Sequence, residues 1–457
     1  MRRPEYDVDR LLMARRDEAA AHFQSYGIDR LSYPWDTRRG DAREPVYAAS
    51  PWMIGPRLAR TISSGVRAVL EAIDLLLTDD GLPLPVGRQG LLPEVPGVDA
   101  SCLVASGQDW ARSARPDLVV DGGKAWIVDL NASPWLGGLV EASDLCAAAS
   151  SQEDVGRVLH DLDARPSMPL RDLVDHLRRT DCPEGAGLLV VSWWAAASDD
   201  YPGRYARGLA SALTSLGLAC AAAPLEALCF DEDGVRLGYQ RVGAVYRFFE
   251  EDRGEDPARG RVWTSLCRRI ADGRVRLVGN FVGDLYAHKG MLALVSEAAD
   301  EGLLPGPLAR TVRTVLPWTR LLAPRRCLTP SGRLDLVAYA LAWPDRLVLK
   351  PADGYDGDGV FFGARLRRSE WEDALHAALH DSHRPWVLQT DVRPPSEEVV
   401  ISRAGTLAPT PVRSVLGAFF VGREFVGGIR RWSADGRANI SPSLGAGDGP
   451  VFLTAGR

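Results

Sequence analysis

Lysine is nearly missing from this chain. Of 54 basic residues among 457, only Lys124, Lys289 and Lys350 are lysines; the rest are arginines. With alanine and glycine abundant, this is the mark of GC-rich coding. Long apolar runs are also missing. The longest, Gly187 to Ala197, is about half of the roughly 20 residues a bilayer helix requires, which excludes a membrane span. No apolar stretch follows Met1-Arg2-Arg3, which excludes a secretory leader. The seven cysteines are odd in number and form no CxxC pair. That excludes a disulfide scaffold and a zinc site, and fits a reduced, cytoplasmic protein. Positive charge is not in excess: the net charge of −6 argues against a general nucleic-acid binder. No GK[ST] opens a helix as in a Walker A loop, and the 185–285 region has no GxGxxG turn.

What remains is ordinary for a well-cored globular protein, with 46% hydrophobic and 25% charged residues and length for two to four units. The first 80 residues read as helical, with apolar positions near 3.6 spacing from Leu58 to Leu77. A hairpin follows, Leu118 to Val120 and Ala125 to Leu130 around Asp121-Gly122-Gly123-Lys124. Between 185 and 288 strands alternate with helices, as in a small parallel α/β layer. From 289 to 457 the pattern is mostly antiparallel sheet with one or two helices. The expected divisions are therefore 1–180, 185–288 and 289–457.

Three constellations carry chemistry. The first is Lys350-Pro351-Ala352-Asp353-Gly354-Tyr355-Asp356-Gly357-Asp358-Gly359, a strand running into a glycine loop and out into another strand. Gly354, Gly357 and Gly359 let backbone N–H groups fold around phosphate oxygens, and Lys350 is placed to reach one. Without that chemistry it is a long hairpin turn carrying acids. The second is Arg115-Pro116-Asp117 with Asp129-Leu130-Asn131. Asp129 and Asn131 are two apart on one strand and share a face; such oxygen donors suit Mg²⁺. The alternative is a hairpin of solvated acids. The third is Lys289, at an expected helix start, which alone would be a surface lysine. A lysine kept against the arginine bias either survives by chance or marks a position that the wide guanidinium fork cannot fill. His376, His380 and His383 fall at i, i+4 and i+7, but without a zincin glutamate they read as an exposed helix face. Trp193-Trp194 reads as core, or as the lining of a pocket.

The ordered set resembles an ATP-grasp ligase, and within that family the circularly permuted group typified by the glutathionylspermidine synthetase domain. Ordinary members present their nucleotide lysines first and their acid-x-Asn strand last; here the order is inverted, as in the permuted group. The resemblance spans most of the chain and ends on Gly427-Gly428-Ile429-Arg430. It implies an α/β fold with α+β sheets, a circularly permuted ATP-grasp with an inserted Rossmann-like preATP-grasp layer. It implies Asp117, Asp129 and Asn131 as Mg²⁺ ligands, with Lys289, Lys350 and Arg430 on the ATP phosphates. Arg115 would steady the acyl phosphate, and Gln389 would lie at the adenine edge. Lys124 receives no role. The implied activity is ATP-dependent joining of a small-molecule carboxylic acid to an amine, with ADP and phosphate released. The alternatives are an inactive ATP-binding protein of the same fold and a phosphotransferase. Two departures stand out: Asp129 replaces the usual glutamate, and the stretch after Asn131, Ala132 to Gly138, is largely apolar. The second argues against glutathione and toward a peptide-like or secondary-metabolite product. Neither nucleic acid nor membrane is expected as a partner, and a homo-oligomer is left open.

One geometric condition follows. For Asp117 to stand opposite Asp129, and Arg115 opposite Asn131, the hairpin needs an odd loop, Gly122-Gly123-Lys124, or an equivalent bulge. A plain two-residue loop would put Asp117 opposite Val128 and turn the carboxylates to opposite faces.

Overall fold

The computed structural model describes residues 5–25, 46–78, 113–132, 136–182, 185–195, 201–249, 256–279, 282–354, 359–403, 405–434 and 446–455. The fold is mixed α/β with several sheets.

Its organising element is the strand Thr406–Val421. From Ser414 onward this strand is buried on both faces, so it reads as a continuous apolar run rather than an alternation. It pairs antiparallel with Ser396–Arg403 along its first half, and with Glu424–Ser433 and Ser113–Asp121 along its second. Gly447–Gly449 and Val46–Ala48 lie beyond Glu424–Ser433, and Lys124–Asn131 lies beyond Ser113–Asp121, which makes seven strands.

Each face of this sheet has its own core. On one, Phe419 and Ile429 pack with Leu136, Leu139, Leu145, Val174 and Leu177. On the other, Leu118, Leu416 and Phe420 meet the helices Pro56–Thr78 and Lys289–Asp300. Pro56–Thr78 starts on proline, whose fixed φ suits a first turn. It buries Ile62, Val66, Val69, Ile73 and Leu76 at three- and four-residue steps while Arg57, Arg60 and Arg67 stay exposed. Truncating one of these buried aliphatics to alanine costs about 2–5 kcal/mol.

Two further sheets frame the site. In one, Cys220–Pro224, Leu188–Trp193, Gln240–Arg247 and Arg276–Val278 run parallel. A hairpin of Cys229–Asp231 and Gly234–Leu237 extends it antiparallel. The other is antiparallel, in the order Thr319–Leu321, Trp386–Thr390, Leu347–Pro351, Phe361–Phe362.

Two expectations need correction. The first 80 residues are not helical throughout, because Val46–Ala48 and Trp52–Ile54 are strands. Three residues are too few to show a period of two. Among the described residues from 289 onward there are four α-helices, Lys289–Asp300, Gly306–Val315, Leu336–Ala342 and Arg368–Leu379, not one or two. Among the described residues no helix is long and apolar enough to cross a membrane.

Candidate nucleotide and metal site

The carboxylate hairpin consists of Ser113–Asp121 and Lys124–Asn131. Its turn is the two-residue Gly122-Gly123, with φ of 54° and 82°, a conformation open to glycine without strain. Asp121 therefore pairs with Lys124, and regular pairing continues to Leu118 opposite Ile127. The register then shifts: Val128 is the extra residue, Asp117 pairs with Asp129, and Arg115 with Asn131. A β-bulge thus meets the parity condition, and the loop is the shorter of the two considered. All four polar side chains share one face of the sheet.

On that face Arg115 Nε donates to Asp117 Oδ1 at 3.1 Å, and Nη1 to the Gly137 carbonyl at 2.5 Å. Asn131 Nδ2 donates to the Arg115 carbonyl at 3.1 Å and to Asp117 Oδ2 at 3.4 Å. Asp129 Oδ1 accepts from Leu130 N at 3.0 Å, and Oδ2 lies 3.4 Å from Lys289 Nζ. Arg115 is buried, but the side chains of Asp117 and Asp129 keep 18% and 27% of their surface, so both can be reached by an ion.

The two lysines converge here from separate elements. Lys289 opens the helix Lys289–Asp300, capped by His288, whose Nδ1 accepts from Gly290 N. Its backbone N–H donates to Ala352 O at 2.7 Å, and its Nζ to Gly354 O at 2.6 Å. The helix start and the base of the glycine loop are therefore one structure. Lys350, on Leu347–Pro351, reaches across to the bulge: Nζ donates to the Val128 carbonyl at 3.1 Å and to Gln389 Oε1 at 2.8 Å. Burial pushes the Lys350 ammonium down to about 8; Lys289 adds to the fall and Asp129 opposes it. Gly359 has φ of 73° and packs on Pro351, where an added Cβ would come within 3.4 Å. Gly357 lies outside the described residues. Lys124 is exposed at the hairpin turn, opposite Asp121, at the far end of the strand from the carboxylates.

Arg430 and Gln389 are engaged within the protein. Arg430 pairs with Leu416 and Gly449 and lies on the opposite face of the central sheet. There it stacks on Trp52 at 4.9 Å, donates to Ser50 O and stands 3.6 Å from Glu397. Its side chain is only 3% exposed, so it is not presented to a phosphate beside Asp117. The neighbouring Arg431, in the row of Val415 and Val119, faces the Asp117 side. Gln389 is buried and bonded to Lys350 and Thr319.

Sequence reasoning missed Thr319, the Val128 carbonyl, and a buried set formed by Arg431, Glu141 and Asp448. Burial raises the carboxyls of Glu141 and Asp448, the latter to about 8. Strand pairing joins Arg431 to Asp448, and packing of the helix Leu139–Ser151 brings Glu141 to them; neither is visible in a single sequence. His376 and His380 stack at 4.2 Å, and His383 lies past the helix end. Among the described residues no group of three His, Cys, Asp or Glu side chains is arranged to hold a metal.

The mixed α/β architecture with several sheets is consistent with an ATP-grasp-like fold. No family model and no curated protein matches the sequence. Among solved structures, the chain resembles a glutathione synthetase-like effector from Globodera pallida in its apo form. The TM-score is 0.52 at 12% identity, over 94% of this chain and 96% of the other; this likeness shows a shared fold. A putative gamma-glutamylcysteine synthetase from Methylobacillus flagellatus matches with a TM-score of 0.39 at 11% identity, over 84% and 85% of the two chains. A D-cycloserine synthetase matches with 0.26 at 20% identity, over 45% and 60%. The last two are too distant to carry an argument.

Proposed function

We propose that this protein is an ATP- and Mg²⁺-dependent carboxylate–amine ligase on a circularly permuted ATP-grasp fold, with residues 185–288 as the inserted layer. One observation carries the reading. In a chain that otherwise uses arginine, two of three lysines point at one patch, the bulged hairpin with Asp117, Asp129 and Asn131.

The donor set fits Mg²⁺. Two accessible carboxylates and one amide oxygen lie on one face, and Asn131 Nδ2 is already engaged, leaving Oδ1 for a ligand. A hard cation completed by phosphate and water oxygens suits such a set. When bound, the metal neutralises charge on the transferring phosphoryl group. Lys289 and Lys350 would hold the phosphates, with the backbone at Gly354 and Gly359 folding over them. The substrate carboxylate oxygen attacks the γ-phosphorus and the bond to the β-phosphate oxygen breaks. ADP leaves, and an acyl phosphate forms. The amine nitrogen then attacks the carbonyl carbon, phosphate departs and the nitrogen loses a proton. Arg115, held by Asp117 and Gly137 O, sets a cation where negative charge develops. The substrates are small acids and amines; the apolar stretch Ala132 to Gly138 favours an apolar or peptide-like acid.

The test is incubation with ATP, Mg²⁺ and pooled acids and amines, with ADP, phosphate and new masses followed together. The reading expects ADP and phosphate in step with an amide product, and loss of both in Lys350→Ala and Lys289→Ala. Lys124→Ala should behave as the parent. A stable phosphorylated product formed without amine would replace the ligase with a phosphotransferase.

A further inference from the structure

Gln389 and Thr319 lie directly opposite each other in the four-stranded sheet, and Lys350 is the diagonal neighbour of Gln389. A long side chain bridges such a diagonal. Both Gln389 and Thr319 are buried, at 3% and 1% exposure. The Thr319 hydroxyl donates its one proton to the Pro317 carbonyl at 2.8 Å. At Thr319 Oγ1 the Gln389 amide, 3.1 Å away, must then be the donor through Nε2. Its other end is thereby fixed: Oε1, a neutral acceptor, faces Lys350 Nζ at 2.8 Å. A flipped amide would set N–H against the ammonium and oxygen against oxygen.

We infer that Thr319 and Gln389 form a positioning relay for Lys350. The relay holds the ammonium without cancelling its charge, so that full positive charge is available to a nucleotide phosphate. An ammonium has three N–H donors. Val128 O and Gln389 Oε1 take two, and the third remains for a phosphate oxygen. A carboxylate at 389 would hold the lysine in the same place and neutralise it. This inference rests on Lys350 being a ligand of the ATP phosphates.

The test is calorimetric binding of a non-hydrolysable ATP analogue with Mg²⁺ to the full chain, alongside thermal midpoints. Thr319→Ser keeps the hydroxyl and should bind within about twofold of the parent. Thr319→Val removes it, frees the amide to turn, and should bind about tenfold more weakly. Gln389→Glu should weaken binding at least as much while leaving the thermal midpoint unchanged or higher, since the new carboxylate pairs with Lys350. A merely structural role would move stability and affinity together and would not be rescued by serine. If both Thr319→Val and Gln389→Glu bind like the parent while Lys350→Ala does not, the relay is wrong and the ATP site stands. If Lys350→Ala binds like the parent, the ATP site itself is wrong and the relay falls with it. Should Gln389→Glu fail to fold, the Thr319 pair decides alone.

Discussion

A half-buried lysine and a buried aspartate give this protein a pH dependence that can be worked out in sign. The Lys350 ammonium sits at about 8 instead of 10.5. Below that pH it is charged and favours phosphate; above it the free protein must take up a proton to bind. Nucleotide-analogue affinity should therefore be flat near pH 7 and fall between about pH 8 and 9, by up to tenfold per pH unit. Calorimetry across that range checks it. Asp448 behaves differently. Burial raises its carboxyl from 3.8 to about 8, and Arg431 Nε, at 3.9 Å, is too far to hydrogen-bond it. At pH below about 4 folded and unfolded states both carry the proton and no penalty exists. As pH rises toward 8 the unfolded state ionises and the folded state does not, so stability falls and then levels off. Asp448→Asn should stabilise the protein at pH 8 by on the order of 2 kcal/mol and leave it nearly unchanged at pH 4. Thermal unfolding at the two pH values decides.

At the scale of the element, the bulge at Val128 both restores the facing of the carboxylates and turns a carbonyl toward Lys350. Deleting Val128 would leave a regular hairpin with Asp117 still opposite Asp129, but without that carbonyl. The expected outcome is a folded protein whose nucleotide-analogue affinity drops about tenfold or less, the range of one lost charged hydrogen bond. Wild-type affinity in the deletion would deny the bulge that role. This element also shows what could be read beforehand. Parity alone required a bulge or an odd loop, because side chains alternate with a period of two. Arg430 could not be placed the same way. It is one residue from Arg431, and the bulge between Phe419 and Phe420 in its hairpin, which sets Arg430 opposite Leu416, decides which face it takes. Gln389 was legible as a strand residue beside the lysine strand, but its partner Thr319 lies on a three-residue strand too short to carry a pattern.

Across the whole molecule, the parallel layer is tied to the site through the short helix Val282–Ala287, directly before His288 and Lys289. Arg247, fully buried at the end of Gln240–Arg247, donates to both oxygens of Asp284, at 2.7 and 2.9 Å, and to Gly279 O. On the other side Tyr286 donates to Asp74, which also receives Arg423. The helix that delivers Lys289 is thus held between the layer and Pro56–Thr78. Asp284→Ala should cost on the order of 3 kcal/mol by removing a two-pronged carboxylate from a buried guanidinium, and should weaken nucleotide binding because Lys289 loses its support. Calorimetry and thermal unfolding of the same variant separate the two effects. The layer itself was readable from alternating strands and helices. The helix contacts were not, because each joins residues tens to hundreds of positions apart.

The charges at the hairpin are already paired off, Asp117 with Arg115 and Asp129 with Lys289. A nucleotide arriving alone would draw Lys289 from Asp129 and leave an acid without a counter-ion. A metal arriving alone would do the same to the cations. Arriving together, each supplies the partner that the other removes. Nucleotide and metal should therefore bind with positive coupling, and thermodynamic linkage makes that coupling equal in both directions. Each should raise the affinity of the other by the same factor, and neutralising Asp129 should shrink that factor toward one.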